Sequence, residues 1–181
     1  MIETPDLVLR QGCQEDWQDL YENLWQYDSV FCFMFSKATP SADVARKKTI
    51  AYVQMQKEVP TEYFVYEKIS GKCIGIAGLK ELSPNLFSVT DIAIGPAFWG
   101  KSYGKQVLTA LSFCAFEIYH ANALLYCCFE DNLPSQRLAL SCGFAYTHSQ
   151  IAELQKDGSD IFLMHFRKEK QNEENVNEYC S

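Results

Sequence analysis

A hairpin precedes the chain's glycine-lysine loop, and that order limits the fold more than any other feature. TEYFVYEK (61–68) and KCIGIAGLKEL (72–82) are β-rich runs flanking the turn dipeptide Ser70-Gly71, the pattern of an antiparallel hairpin. FSVTDIAIG (87–95) follows as a further strand after Ser83-Pro84-Asn85. Only then comes GPAFWGKS, Gly95 to Ser102, a letter-for-letter match to the phosphate-loop pattern G-x-x-x-x-G-K-[ST]. Proteins that bind nucleoside triphosphates through this loop place it after their first strand, with parallel βαβ units following. Here it follows the hairpin and a further strand, and only one clear βαβ unit remains downstream. Pro96, Phe98 and Trp99 also put bulk where backbone must close around a phosphate. Position and composition both argue against a phosphate-loop nucleotide-binding protein.

The remaining segments complete the order β-α-α-β-β-β-α-β-α-β-β. Leu7 and Leu9 mark a first strand in TPDLVLRQG. Trp17, Leu20, Tyr21, Leu24 and Trp25 recur at helical spacing, and SADVARKKTIAYVQMQ predicts a second amphipathic helix. Between them VFCFMF (30–35) is too apolar for an ordinary loop; it serves the core or covers a pocket. After the glycine loop, Val107, Leu108, Leu111, Cys114, Ala115 and Ile118 form one helical stripe. ALLYCCFE reads as a strand covered on both faces. NLPSQRLALSCGF reads as a short helix, with Pro134 in its first turn and Gly143 just past its end. AYTHSQIAEL and SDIFLMHF predict a last hairpin turning at Lys156-Asp157-Gly158. No internal repeat or long linker divides the chain, so residues 1–167 are expected to form one domain and the polar stretch 168–181 a disordered tail.

With 48% apolar and 14% aromatic residues in 181 positions, the chain can bury one sizeable core. A formal charge of −7 argues against duplex nucleic acid as a partner. No apolar run has membrane-spanning length, and the first ten residues, with Glu3 and Asp6, lack the basic-then-apolar layout of a signal peptide. A cytoplasmic protein without membrane contact is expected. Eight cysteines include no C-x-x-C pair and mostly lie in apolar runs, as buried reduced thiols do. His120, His148 and His165 lack metal-ligand spacing, so no metal is expected.

Two separated motifs carry a family resemblance. Pro96 to Gly104 reads P-A-F-W-G-K-S-Y-G, and Asn132 and Ser135 precede Gly143-Phe144. On both, over about residues 4–166, the chain resembles the GCN5-related N-acetyltransferases, and among them the branch that acetylates ribosomal-protein N-termini. The resemblance implies an α/β fold: a mixed, mostly antiparallel sheet of about seven strands flanked by about four helices. It implies that DIAIG bulges and splays from its parallel neighbour LLYCCF, opening a slot for acetyl-CoA. Ile92, Ala93 and Ile94 would then meet the acetyl-pantetheine arm. Trp99, Gly100, Lys101, Ser102, Tyr103, Gly104 and Lys105 would hold the pyrophosphate, and Asn132 and Ser135 would border the slot. A loop of open N–H groups leading into a helix is also, on physical grounds, an anion site.

Acetyl transfer to an amine needs a neutral amine, a thioester held beside it and protonation of the departing thiolate. Backbone N–H groups of Ile92 to Ile94 are candidates for the oxyanion. Asp91 is the best-placed base, with Glu130 and Asp131 as alternatives. The family's usual acid, a Tyr four residues before the Gly of G-F, is Ala139 here. Ser135 is the nearest replacement, with Asn132 the other catalytic candidate as a nearby donor, although a Ser in a first helical turn is also a common cap. Ser102 replaces the family's Gly, which weakens phosphate binding if that position requires positive φ. The sequence thus points to acetyl-CoA-dependent acetylation of a primary amine, such as a protein N-terminus, by a monomer or homodimer. A non-catalytic acyl-CoA-binding module, favoured by the missing Tyr, is the alternative.

Overall fold

The computed structural model describes residues 1–152 and 160–171. Eight strands form one sheet in the order β1-β2-β3-β4-β5-β6-β8-β7. The strands are β1 (Ile2–Glu3), β2 (Leu7–Arg10), β3 (Glu62–Glu67), β4 (Cys73–Ser83), β5 (Leu86–Ile94), β6 (Ala123–Phe129), β7 (Ala145–Ala152) and β8 (Ile161–Glu169). The strand beyond the expected seven is β1, a two-residue piece folding back on β2 through Ile2↔Leu9. Strand β8 runs to Glu169, past the boundary set for a tail at 168. The turn expected at 156–158 and the tail from 172 lie outside the described residues.

The helices are α1 (Trp17–Leu20), α2 (Asp28–Phe31), α3 (Ala42–Glu58), α4 (Tyr103–Phe113) and α5 (Leu133–Ser141). The stripe that predicted one first helix is there, but the helix is not regular. A 3-10 turn leads into α1, which relaxes into a π turn over Tyr21–Trp25 and still buries Leu20, Leu24 and Trp25 completely. Ser41 starts α3 as predicted, its side chain accepting from the Val44 N–H, the ordinary N-cap bond. Among the described residues, no helix is long and apolar enough to cross a membrane, and all seven cysteines are free thiols.

Two cores form because β-strand side chains alternate between faces. Leu7, Leu9, Val65 and Ile74 join Leu108 and Leu111 of α4 on one face. Leu20, Leu24, Trp25 and Phe31 meet Phe64, Tyr66 and Ile76 on the other.

One seam in the sheet differs from the rest. Strands β5 and β6 are parallel and paired only at Leu86↔Ala123, Phe87↔Leu124 and Ser88↔Leu125. Beyond Ser88 the register of β5 against β4 slips: Leu79 opposes Val89 while Ala77 opposes Ile92. Thr90 and Asp91 therefore face the single residue Gly78, a bulge that bends β5 away from β6. Strand β6 continues to Phe129 paired with β8 alone. The expected splay is present, and it leaves a slot.

Candidate active site

A cavity of about 1010 Å³ occupies the slot and opens to solvent. Its walls are the bulged half of β5, the loop before α4, the far half of β6, the first turns of α5 and the segment around Phe33. Both readings of VFCFMF hold in part. Val30 and Phe31 are core residues, while Cys32, Phe33 and Met34 line the cavity.

The β5 wall offers backbone groups in alternation. Gly95 donates to the Ile74 carbonyl, which makes Gly95 and Ala93 the residues bonded to β4 in an antiparallel ladder. Ile92 and Ile94 therefore turn their N–H groups toward the slot. Of the three nominated N–H groups, that of Ala93 is committed to β4, a consequence of ladder alternation invisible in DIAIG. The Ile94 carbonyl accepts the Trp99 indole N–H at 2.7 Å. Trp99 thus ties the loop to the strand.

The loop turns through two left-handed residues, Gly100 (φ 78) and Ser102 (φ 60). Ser102 occupies the N-cap of α4 without a side-chain capping bond, and its carbonyl takes the Gln106 N–H. The N–H groups of Tyr103, Gly104 and Lys105 at the first turn are left for an anion. A Cβ on Gly104 would meet only the Leu138 side chain, at 3.4 Å, so this approach is open. Of the loop residues nominated for the cofactor, Trp99, Gly100, Ser102, Tyr103, Gly104 and Lys105 line the cavity. Lys101 does not. Its ammonium pairs with Glu67 at 3.1 Å and lies over Phe98 and Tyr103, so it braces the loop from behind.

Across the slot, Asn132 caps α5: its Oδ1 accepts the Ser135 N–H at 3.1 Å. The cap is Asn132, which frees the Ser135 hydroxyl from that role. The Ser135 hydroxyl instead meets the Tyr126 hydroxyl at 2.6 Å. Ala139, where the family carries Tyr, is fully buried. Tyr126 on β6 escaped sequence reading because its place beside Ser135 depends on how α5 folds back over β6.

Asp91 lines the cavity at the bulge. Burial pushes its carboxyl up, and the Lys48 ammonium partly offsets this. Lys48 sits over the Trp25 and Phe31 rings at 4.7 and 5.0 Å. Glu130 and Asp131 are exposed and outside the cavity wall, so the structure does not bring these two alternative bases to the slot. Sequence reading also missed Glu62. Its carboxylate lies over Gly78 and accepts from Thr90 Oγ1 at 2.8 Å. Its other oxygen has no partner among the described residues. Burial raises this carboxyl to about 7.

The family model for the acetyltransferase (GNAT) domain matches residues 6–145. The chain belongs to this family, and acetyl transfer is its class of chemistry. Solved structures share the fold at low identity. An acetyltransferase of the GNAT family from Bacillus anthracis superposes with a TM-score of 0.81 at 13% identity, covering 93% of this chain and 97% of that one. RimL, a ribosomal L7/L12 alpha-N-protein acetyltransferase solved with coenzyme A, gives 0.76 at 14% identity over 92% and 95%. The microcin C7 self-immunity acetyltransferase MccE, solved with acetyl-CoA and AMP, gives 0.77 at 17% over 92% and 94%. A search of curated proteins found no match.

Proposed function

We propose that the protein moves the acetyl group of acetyl-CoA to a primary amine, with a protein N-terminus as the acceptor. The observation that carries this reading is the slot itself. N–H groups of Ile92 and Ile94, unpaired among the described residues, stand on one side, Ser135 on the other, and the open first turn of α4 lies at one end. Acetyl-CoA supplies an activated thioester; the residues of this chain bind, orient and manage protons. The α4 N–H groups and Lys105 suit the pyrophosphate, and Ile92 and Ile94 suit the arm and the carbonyl oxygen. Asp91 is the proton acceptor for the incoming amine, and Ser135 donates a hydrogen bond to the departing sulfur. The N-terminal acceptor draws support from the likeness to RimL, and the net charge of −7 favours a cationic partner.

A thermal-shift panel with acetyl-CoA, CoA, ATP and GTP tests the cofactor, and thiol release over a library of amines and N-terminal peptides tests the acceptor. Acetyl-CoA should stabilise the protein where magnesium ATP does not; the reverse result overturns the reading. Binding of acetyl-CoA without release of CoA to any amine would favour the acyl-CoA-binding module instead. Ser135→Ala is expected to lower kcat by about 10- to 100-fold and to change acetyl-CoA affinity far less, because the contact belongs to the transition state. The helix cap should survive, since Asn132 makes it, but the buried Tyr126 hydroxyl loses its partner, so a stability loss of about 1–3 kcal/mol should accompany the kinetic one. Asp91→Asn is expected to cost about 100-fold or more in kcat, read in the same assay.

A further inference from the structure

The only hydrogen bond that the Tyr126 hydroxyl makes among the described residues is to Ser135, at 2.6 Å. Its ring is wedged between Phe144 and Phe166, with centroids 5.9 and 6.4 Å away, and the residue is 6% exposed. Each hydroxyl carries one proton, so the bond has two possible directions. If Ser135 donated to Tyr126, the phenol proton of this 6%-exposed residue would have no acceptor among the described residues, an unfavourable arrangement for a buried donor. If Tyr126 donates, its own buried donor is satisfied and the serine proton is released to point elsewhere. What remains near Ser135 is the slot and the Cys128 thiol. Burial pushes that thiol up, although the Ser135 hydroxyl pulls it partly back; a neutral thiol is a weak acceptor.

We propose that Tyr126 is a positioning residue for acetyl transfer: by donating to Ser135 Oγ it aims the serine proton into the slot, at the sulfur that leaves. The inference rests on the role given to Ser135 above. In the reaction the new C–N bond forms as the C–S bond breaks. The amine gives up one proton and the thiolate finally takes one, while Ser135 and Tyr126 keep their own. Burial holds the Tyr126 phenol at about 12, so it stays protonated through turnover and remains a donor. Tyr126 thereby compensates for Ala139: the hydroxyl that the helix lacks is governed from the neighbouring strand.

The test uses the full chain saturated with CoA. The bound thiol is titrated by thiolate absorbance, taking desulfo-CoA as the blank to remove the protein's own cysteines. Tyr126→Phe keeps the ring and removes the donor. It should raise the apparent pKa of bound CoA by about one unit and lower kcat about tenfold, with acetyl-CoA affinity within about twofold. Tyr126→Phe combined with Ser135→Ala should be no worse than Ser135→Ala alone, the non-additivity of residues acting through one another. The titration follows the folded, ligand-bound fraction, so a lower melting temperature does not obscure it. A wild-type thiol pKa in Tyr126→Phe, with a raised one in Ser135→Ala, overturns the inference and leaves the Ser135 reading standing. No shift in either variant removes the Ser135 reading, and this inference with it.

Discussion

Two buried glutamates on β3 titrate in opposite directions, and the difference lies in what each one faces. They are five residues apart, so they project from opposite faces of the strand. Glu67 accepts from Tyr103 at 2.7 Å, Ser70 at 2.8 Å and Lys101 at 3.1 Å; these donors, Tyr103 first, hold its carboxyl below the usual range. Glu62 has one donor and is held up near 7 by burial. The stability consequences follow from linkage. A depressed folded pKa gives stability that is present above the unfolded value and lost on acidification. Glu67→Gln should therefore destabilise at pH 7, with the gap to wild type closing below pH 4.5. A raised folded pKa works the other way, since the folded state holds the proton more tightly. Glu62→Gln should be more stable than wild type at pH 8 by roughly 1–3 kcal/mol, with the gain fading as pH falls toward 4.5. Melting curves of both variants between pH 4 and 8 check the pair. Nothing in TEYFVYEK separates the two glutamates, because their fates are decided by Thr90, Tyr103 and Lys101, all distant in sequence.

At the scale of elements, the loop into α4 shows how much a motif can say. Its position after the hairpin, read from sequence alone, argued against the phosphate-loop fold; the splayed strand pair, which the structure contains, came from the family resemblance and not from the position. Its details depend on backbone angles that letters do not carry. Ser102 adopts φ 60, a region that strains any residue with a Cβ. The sequence left this conditional. Ser102→Gly should relieve the strain and stabilise the protein by about 0.5–1 kcal/mol, a rise of a few degrees in Tm. Lys101 was legible as a cation near an anion site, but its reach to Glu67 was not. Gly104→Asp separates binding from folding. A carboxylate in a first helical turn is favourable for the helix, and the added Cβ meets only Leu138. Tm should be preserved while acetyl-CoA binding, followed by calorimetry, is lost through repulsion and bulk at the phosphate site.

Across the whole molecule, the slot divides the sheet unequally. Strands β1 to β5 are antiparallel neighbours, and β6 holds β8 through seven pairs from Ala123↔Glu169 to Phe129↔Leu163. Only three pairs join β5 to β6. Beyond those three, amides of Tyr126 to Phe129 that face the slot lack a strand partner among the described residues. In hydrogen exchange they should be fast in the free protein and slow with acetyl-CoA, while the β6–β8 amides stay protected throughout. Ligand at about 100 times its dissociation constant should add roughly 2.7 kcal/mol of stability, seen as a rise in Tm. Equal exchange with and without acetyl-CoA would place its arm outside the slot. The succession of strands and helices along the chain was legible, β1 apart; the shortness of this ladder was not, because a bulge is a register slip rather than a composition.

That three-pair ladder has a mechanical meaning. The molecule is two leaves on a short spine. Ile92, Ile94, Asp91 and the α4 loop ride on one leaf; Ser135 and Tyr126 ride on the other. On the proposed roles, neither leaf alone holds a complete set of partners for the chemistry. The stiffness of the spine therefore sets how faithfully donor and acceptor groups meet, and a substitution at Phe87 or Leu124, far from any reacting atom, would loosen the machine as a worn hinge loosens a pair of shears.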